Sequence, residues 1–282
     1  MEFKMMEFKT YKKHYEESIR KSKIVENHDF EKDGYPLHNL GIDFASFERC
    51  QEYEDLVKKI AIQIDERISR GKEERTNDIL DAEFVTYLDN WRDINEIHKL
   101  ANLVIPQIEK KISKCKLKVE FVLPYENKKT EQVLKSSWLW HYDNCPKEFI
   151  KLAIYLNDVT EKNGCFQYLE KDGSAQMMHV TRLNVNPDRD PPVPNTRMDN
   201  KFISNFISEG GKIVNVTGSL GTNFLFNPNV LHRATKPEPN TNSRQAIFFF
   251  LRPTVDQECD YIDEKTCSIR GNQRRVKKYK AD

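Results

Sequence analysis

Residues 138–146 read WLWHYDNCP, and the conformation of this stretch decides how the chain is organised. His141 and Asp143 stand two positions apart. On a helix, residues i and i+2 point about 200° apart and cannot share an ion. On a strand they share a face. Nearly the same letters occur near the N-terminus in KKHYEES, as His14, Tyr15 and Glu16. That copy sits in a Lys-rich segment with helical spacing (Phe8, Tyr11, Tyr15, Ile19) and reads as a solvated helix face. The copy at 141–143 closes a β-rich run, SSWLWHY, so its imidazole and carboxylate are expected to point the same way. Alternation puts Trp138, Trp140 and Tyr142 on the opposite face, packed against helices.

From Lys116 onward, similar runs follow one another: KVEFVLPY, SSWLWHY, FIKLAIYLND, CFQYLE, GKIVNVTG, TNFLFN, NVLHRAT and RQAIFFFLRP. Val, Ile, Phe and Tyr alternate with polar residues, and Asn, Gly and Pro punctuate. Such runs with no helix between them predict a mainly β fold, an antiparallel double sheet of jelly-roll or barrel type. The segment before them is helical in spacing. Phe47, Tyr53, Leu56, Ile60, Ile64 and Ile68 form one amphipathic set. Ile94, Ile97, Ala101, Val104 and Ile108 form a second, with Pro106 expected to end or kink that helix. SRGKEERTND between them reads as a loop. His98 falls near the second apolar face and reads as a packed core residue.

The expected organisation is a single domain over 1–282. Residues 1–115 are mostly helical and pack on one sheet. Residues 116–253 form the jelly-roll core, interrupted by a lid-like insert at 176–210 rich in Pro and Arg. Residues 254–282 are a basic tail.

Charge is balanced, 45 basic against 44 acidic residues, which gives no overall pull toward nucleic acid or a membrane surface. The six cysteines include no CxxC pair and read as free thiols in a reducing compartment. No run approaches 18 apolar residues, and the first residues lack an apolar signal core. A cytoplasmic protein acting on a small molecule is the expectation, with the oligomeric state left open.

Two ligands make a poor metal site, and NVLHRAT supplies a third, His232, on another expected strand. Two imidazoles and one carboxylate leave three adjacent positions open on an octahedral ion, the facial triad expected of non-haem Fe(II) oxygenases. Zinc more usually takes a closed four-ligand set or an open tetrahedral site. The open positions call for a bidentate co-substrate. Arg244, 12 residues after His232, is the natural fork for a distal carboxylate.

These residues resemble the phytanoyl-CoA dioxygenase-like family of Fe(II)/2-oxoglutarate oxygenases. WHYD matches its strand-ending H-x-D. LNDVTEKNGCFQYLEKDGS and GTNFLFNPNVLHRATKPEPNTNSRQAI resemble its following segments, and FEKDGYPL its N-terminal Asp-Gly-Tyr segment. The similarity is loose over 30–253 and of motif strength in 138–174 and 220–252. Two positions depart from the pattern. The Gly-Ser-His turn reads Gly173-Ser174-Ala175, and the small hydroxyl residue after the distal His is replaced by Ala234 with Thr235 next. Which hydroxyl assists Arg244 is therefore open, with Thr235 the candidate.

The resemblance implies Fe(II) on His141, Asp143 and His232, 2-oxoglutarate anchored by Arg244, and O2 as oxidant, with release of succinate and CO2. Halogenating relatives carry a small residue where Asp143 stands, so hydroxylation, desaturation or oxidative cyclisation is implied instead. Tyr155, Arg182, Arg189 and Arg197 are the candidates for contact with a small, carboxylate-bearing substrate, such as an amino-acid-derived natural product. Rival expectations are a catalytically silent jelly-roll binding protein, or an oxygenase acting on an acyl-CoA, protein or nucleic acid.

Overall fold

Alternation along Gln245–Pro253 builds the centre of the molecule. Ile247, Phe249 and Leu251 face one apolar cluster, while Ala246, Phe248 and Phe250 face another. A slip of one residue would exchange the two sets, so the register of this strand is strongly specified. Each large side chain buried this way contributes about 1.5–3 kcal/mol.

The computed structural model describes residues 8–22, 24, 28–76, 78–81, 85–129, 136–178, 185–186, 193–194 and 196–263. Among them the α-helices are α1 (Phe8–Lys21), α2 (Gln51–Glu74), α3 (Asn95–Ile108) and α4 (Asn200–Ser208). The strands are β1 (Ile42–Asp43), β2 (Ile79–Asp81), β3 (Val85–Leu88), β4 (Leu117–Asn127), β5 (Ile150–Tyr155), β6 (Phe166–Lys171), β7 (Ser174–Ala175), β8 (Val185–Asn186), β9 (Val193–Pro194), β10 (Lys212–Val216), β11 (Asn223–Phe226), β12 (His232–Ala234) and β13 (Gln245–Pro253).

The larger sheet runs β1-β11-β5-β13-β4-β3-β2, and the smaller runs β10-β6-β12 with β7 beside β6. All pairings among the named strands are antiparallel. Tyr155, Phe224, Phe226 and Ala246 of the larger sheet meet Phe166, Tyr168 and Val216 of the smaller in one cluster between the sheets. This is the expected jelly roll. The outer face of the larger sheet is covered by the N-terminal helices. There Tyr53, Leu56, Ile60, Ile64 and Ile68 of α2 and Ile97, Leu100, Val104 and Ile108 of α3 pack on Ile150, Leu152, Ile154 and Phe249.

Several local expectations are corrected. α2 starts at Gln51 and runs to Glu74, so the first six residues of SRGKEERTND are helix. It closes on Arg75 in the left-handed region, whose N–H donates to Gly71 O. A Cβ on Gly71 would lie 2.8 Å from Ile79, so glycine lets β2 sit against the helix. β2 and β3 extend the larger sheet from within the segment expected to be mostly helical. Their short runs lie between two long helical patterns that dominate the periodicity. Pro106 does not end α3. The helix passes through it to Ile108, and a wider turn at Glu109–Ser113 follows. His98 bonds Arg92 O through Nε2 at 3.0 Å, as a packed residue would.

SSWLWHY is not a regular strand. Ser136–Trp138 is a single 3-10 turn, and His141 makes two isolated bridges, to His232 and to Arg197. The insert is likewise not all loop. Asp199 caps α4, accepting from Phe202 N–H at 2.7 Å. Ile203 and Phe206 of α4 pack with Trp140, Tyr142, Leu169 and Leu231. The helix against Trp140 and Tyr142 is therefore α4, not an N-terminal one. Among the described residues, no helix is long and apolar enough to cross a membrane, and Cys50, Cys115, Cys145, Cys165 and Cys259 are free thiols.

Candidate metal centre

His141 and His232 are brought face to face by backbone pairing. His141 N–H donates to His232 O at 3.0 Å, and His232 N–H donates to His141 O at 2.8 Å. Their rings lie 4.3 Å apart between centroids. Asp143 is held by its own N–H, which donates to Pro228 O at 2.9 Å. The next residue, Asn144, turns the chain away at φ 49°.

Each imidazole is oriented by the carbonyl two residues before it. His141 Nδ1 lies 2.8 Å from Leu139 O, and His232 Nδ1 lies 2.7 Å from Val230 O. A carbonyl only accepts, so each Nδ1 carries the proton and each Nε2 presents a lone pair. Burial depresses both rings, His141 to about 3 and His232 to about 4, with the Arg197 charge adding to the effect. Both are neutral near pH 7, the form a metal binds. His232 is stacked by Phe166 at 5.2 Å and edged by Phe226 at 5.4 Å.

The carboxylate closes the set. Asp143 Oδ1 lies 3.7 Å from His141 Nε2, and Oδ2 lies 3.8 Å from His232 Nε2. The three ligand atoms lie within 4.8 Å of one another. Ligands about 2.1 Å from a common ion stand about 3.0–3.5 Å apart, so a small contraction completes a site. Burial opposes ionisation of Asp143, but Lys151, His232 and His141 together hold its carboxyl well below the usual range. The chemistry of this donor set, two neutral imidazoles and one carboxylate, fits Fe(II) with open positions.

Lys151 was not anticipated. Its Nζ donates to Asp143 Oδ2 from within β5, among apolar neighbours. Alternation offered a signal, since Lys151, Ala153 and Tyr155 share the inner face while Ile150, Leu152 and Ile154 face the helices. Asn227 and Asn229 were missed too. Asn229 clamps the chain just beyond Asp143, with Cys145 N–H donating to Oδ1 at 2.9 Å and Nδ2 donating to Cys145 O at 2.8 Å. Asn227 Oδ1 accepts from Asn229 N–H at 3.0 Å.

Arg244 is 2% exposed, between the sheets. Nη2 donates to Tyr125 Oη at 2.9 Å. Nε and Nη1 are buried with no acceptor among the described residues. A buried guanidinium whose Nε and Nη1 find no acceptor is costly unless an anion completes it. The fork fits a carboxylate, which is the fit the distal end of 2-oxoglutarate requires. Tyr125 was not anticipated, because strand pairing brings it to Arg244 across 119 positions of chain.

The remaining expected residues divide. Arg197 is paired in the backbone with His141, is exposed, and donates from Nη1 to Thr196 Oγ1 at 2.9 Å. Thr235 Oγ1 lies 3.4 Å from Cys165 O and 3.7 Å from Cys165 Sγ. The Tyr155 hydroxyl donates to Val216 O at 2.8 Å and accepts from Phe166 N–H at 3.3 Å, bracing the two sheets. Arg182 and Arg189 lie outside the described residues.

Comparison with known proteins agrees with this geometry. The sequence profile of Phytanoyl-CoA dioxygenase (PhyH) matches residues 30–246. The crystal structure of EctD from S. alaskensis with bound Fe is similar at 14% identity and TM-score 0.50, covering 76% of this chain and 73% of that one. EctD with 2-oxoglutarate and 5-hydroxyectoine is similar at 14% identity and TM-score 0.50, covering 82% and 78%. AviO1 from Streptomyces viridochromogenes Tue57 aligns at 16% identity and TM-score 0.43, covering 77% and 91%. No curated protein matches the chain. With the jelly roll, the His-Asp-His cluster and a family match over most of its length, the chain belongs to the phytanoyl-CoA dioxygenase family, whose members are non-haem Fe(II)- and 2-oxoglutarate-dependent oxygenases.

Proposed function

We propose that this oxygenase oxidises an unactivated C–H bond of a small, carboxylate-bearing metabolite, by hydroxylation, desaturation or oxidative cyclisation. Bound Fe(II), with 2-oxoglutarate and O2, supplies the oxidising power and yields succinate and CO2. His141 and His232 each give a neutral Nε2, and Asp143 gives the anionic ligand. Arg244 takes the distal carboxylate of 2-oxoglutarate with N–H groups that the described residues leave unused, while Tyr125 fixes the guanidinium from one side. Phe166 and Phe226 pack around His232 and keep water from its ring.

The observation that carries this reading is Arg244, whose Nε and Nη1 sit buried without an acceptor in the same barrel as the triad. For the substrate, support comes from Arg197. The residue is exposed and its main chain bridges that of His141, so a carboxylate held by its guanidinium would lie near the triad. A screen for succinate release across small carboxylates, amines and acyl thioesters tests the substrate class. Carboxylates should stimulate turnover, and Arg197→Ala should raise KM for them with little change for amines. Stimulation by amines or thioesters alone would overturn the class.

A further inference from the structure

Among the described residues, Lys151 is a charged group of the barrel interior that the proposed chemistry leaves without a task. It is 7% exposed, on a strand whose other residues, Ile150, Leu152, Ala153, Ile154 and Tyr155, are apolar and buried. Its cross-strand neighbours are Phe226 on β11 and Phe250 on β13. The ammonium lies 5.7 Å from the first ring centroid and 4.5 Å from the second. Phe250 is itself backed by Phe121, stacked at 3.7 Å. Packed among these rings, the ammonium is directed at Asp143, where it donates to Oδ2.

The two carboxylate oxygens of Asp143 are otherwise alike. One faces His141 Nε2 at 3.7 Å and the other faces His232 Nε2 at 3.8 Å. An ion among these three residues would therefore meet both oxygens, and a carboxylate that offers both takes two coordination positions. That would leave two open positions rather than three. A bidentate co-substrate and O2 together need three.

We propose that Lys151 is a positioning residue that occupies Asp143 Oδ2, so that the carboxylate gives the metal one oxygen and a third position stays open. This rests on the metal reading of the triad. The lysine acts through Asp143 and touches neither co-substrate nor substrate. The charge is placed by backbone register, because β5 pairs with both β11 and β13 at Lys151 and cannot slide without exchanging its buried faces.

The test uses the full chain loaded with Mn(II) alone, and water-proton relaxation as a count of waters on the ion. Wild type should carry three exchangeable waters. Lys151→Met should carry two, a fall of about one third in relaxivity per bound ion. Lys151→Arg, which still reaches Oδ2 with a donor, should keep the wild-type value. Lys151→Gln, whose amide ends one bond short of Nζ, should fall as Met does, and it serves if the Met variant does not fold. Wild-type relaxivity in a folded, Mn(II)-loaded Met or Gln variant would overturn the role of Lys151 and leave the metal reading standing. A wild-type chain that takes up no Mn(II) would overturn the metal reading, and the proposal with it.

Discussion

Replacing Arg244 with methionine removes a guanidinium that is buried, bonded once to Tyr125, and left with Nε and Nη1 unpartnered. If a carboxylate of 2-oxoglutarate accepts two bonds from that guanidinium, the loss can be sized. A hydrogen bond to a charged group contributes about 1.5–3 kcal/mol, so two contribute about 3–6 kcal/mol. At about 1.4 kcal/mol per factor of ten, 2-oxoglutarate should bind about 10²–10⁴-fold more weakly. Arg244→Lys should fall between, because a point charge cannot make the paired contact. The assay is calorimetric titration of 2-oxoglutarate into Mn(II)-loaded protein, with Mn(II) affinity measured separately. Metal affinity should stay near wild type, since Arg244 bonds none of the triad. Co-substrate binding within about threefold of wild type in Arg244→Met would refute the anchor, because even one charge-assisted bond exceeds that. Equal loss of metal and co-substrate would refute the separation of the two subsites.

Asn229→Ala should break both side-chain bonds to Cys145 and loosen the loop behind Asp143. Outer-shell losses of this kind cost about 10–100-fold in metal affinity, measurable by competition with a chelator. Trp140→Ala should destabilise the fold by about 3–5 kcal/mol in urea unfolding, because Trp140 fills the contact among Leu169, Leu231 and α4. The metal-free protein should also lose stability in mild acid. His141 and His232 have folded pKa values of about 3 and about 4, below the unfolded value of 6.5. The unfolded chain therefore binds more protons in that window. Stability is complete above pH 6.5 and falls as pH drops toward 4 and 3, as thermal unfolding across that range will show.

The larger features were legible because they are periodic. Ile247, Phe249 and Leu251 alternate with Ala246, Phe248 and Phe250, and that alternation alone implies a strand buried on both faces. His141, Asp143 and His232 were legible for a related reason, although the stretch around His141 is not a regular strand. Two isolated bridges keep it extended, which is enough to put His141 and Asp143 on one side. Tyr125, Asn227 and Asn229 were not legible as parts of the site. Their roles come from contacts between distant elements, and an asparagine in a loop looks the same whether it clamps a ligand's neighbour or faces water. Lys151 lies between these cases. Its alternation with Ala153 and Tyr155 was visible, but a single lysine in an apolar run does not reveal its partner. β2 and β3 were hidden by their brevity beside the long patterns of α2 and α3. Of the three insert arginines proposed for substrate, Arg197 lies beside the triad, because residues 196–198 pair with 140–142.

The central claim is that His141, Asp143 and His232 hold Fe(II) with room for 2-oxoglutarate, anchored by Arg244. Anaerobic addition of Fe(II) and then 2-oxoglutarate to the full chain, followed by visible absorption, tests it most directly. A charge-transfer band that appears only with both additions in wild type, and is lost in His141→Ala together with iron affinity, is the predicted result. No band in wild type, or iron bound as tightly by His141→Ala, would contradict it.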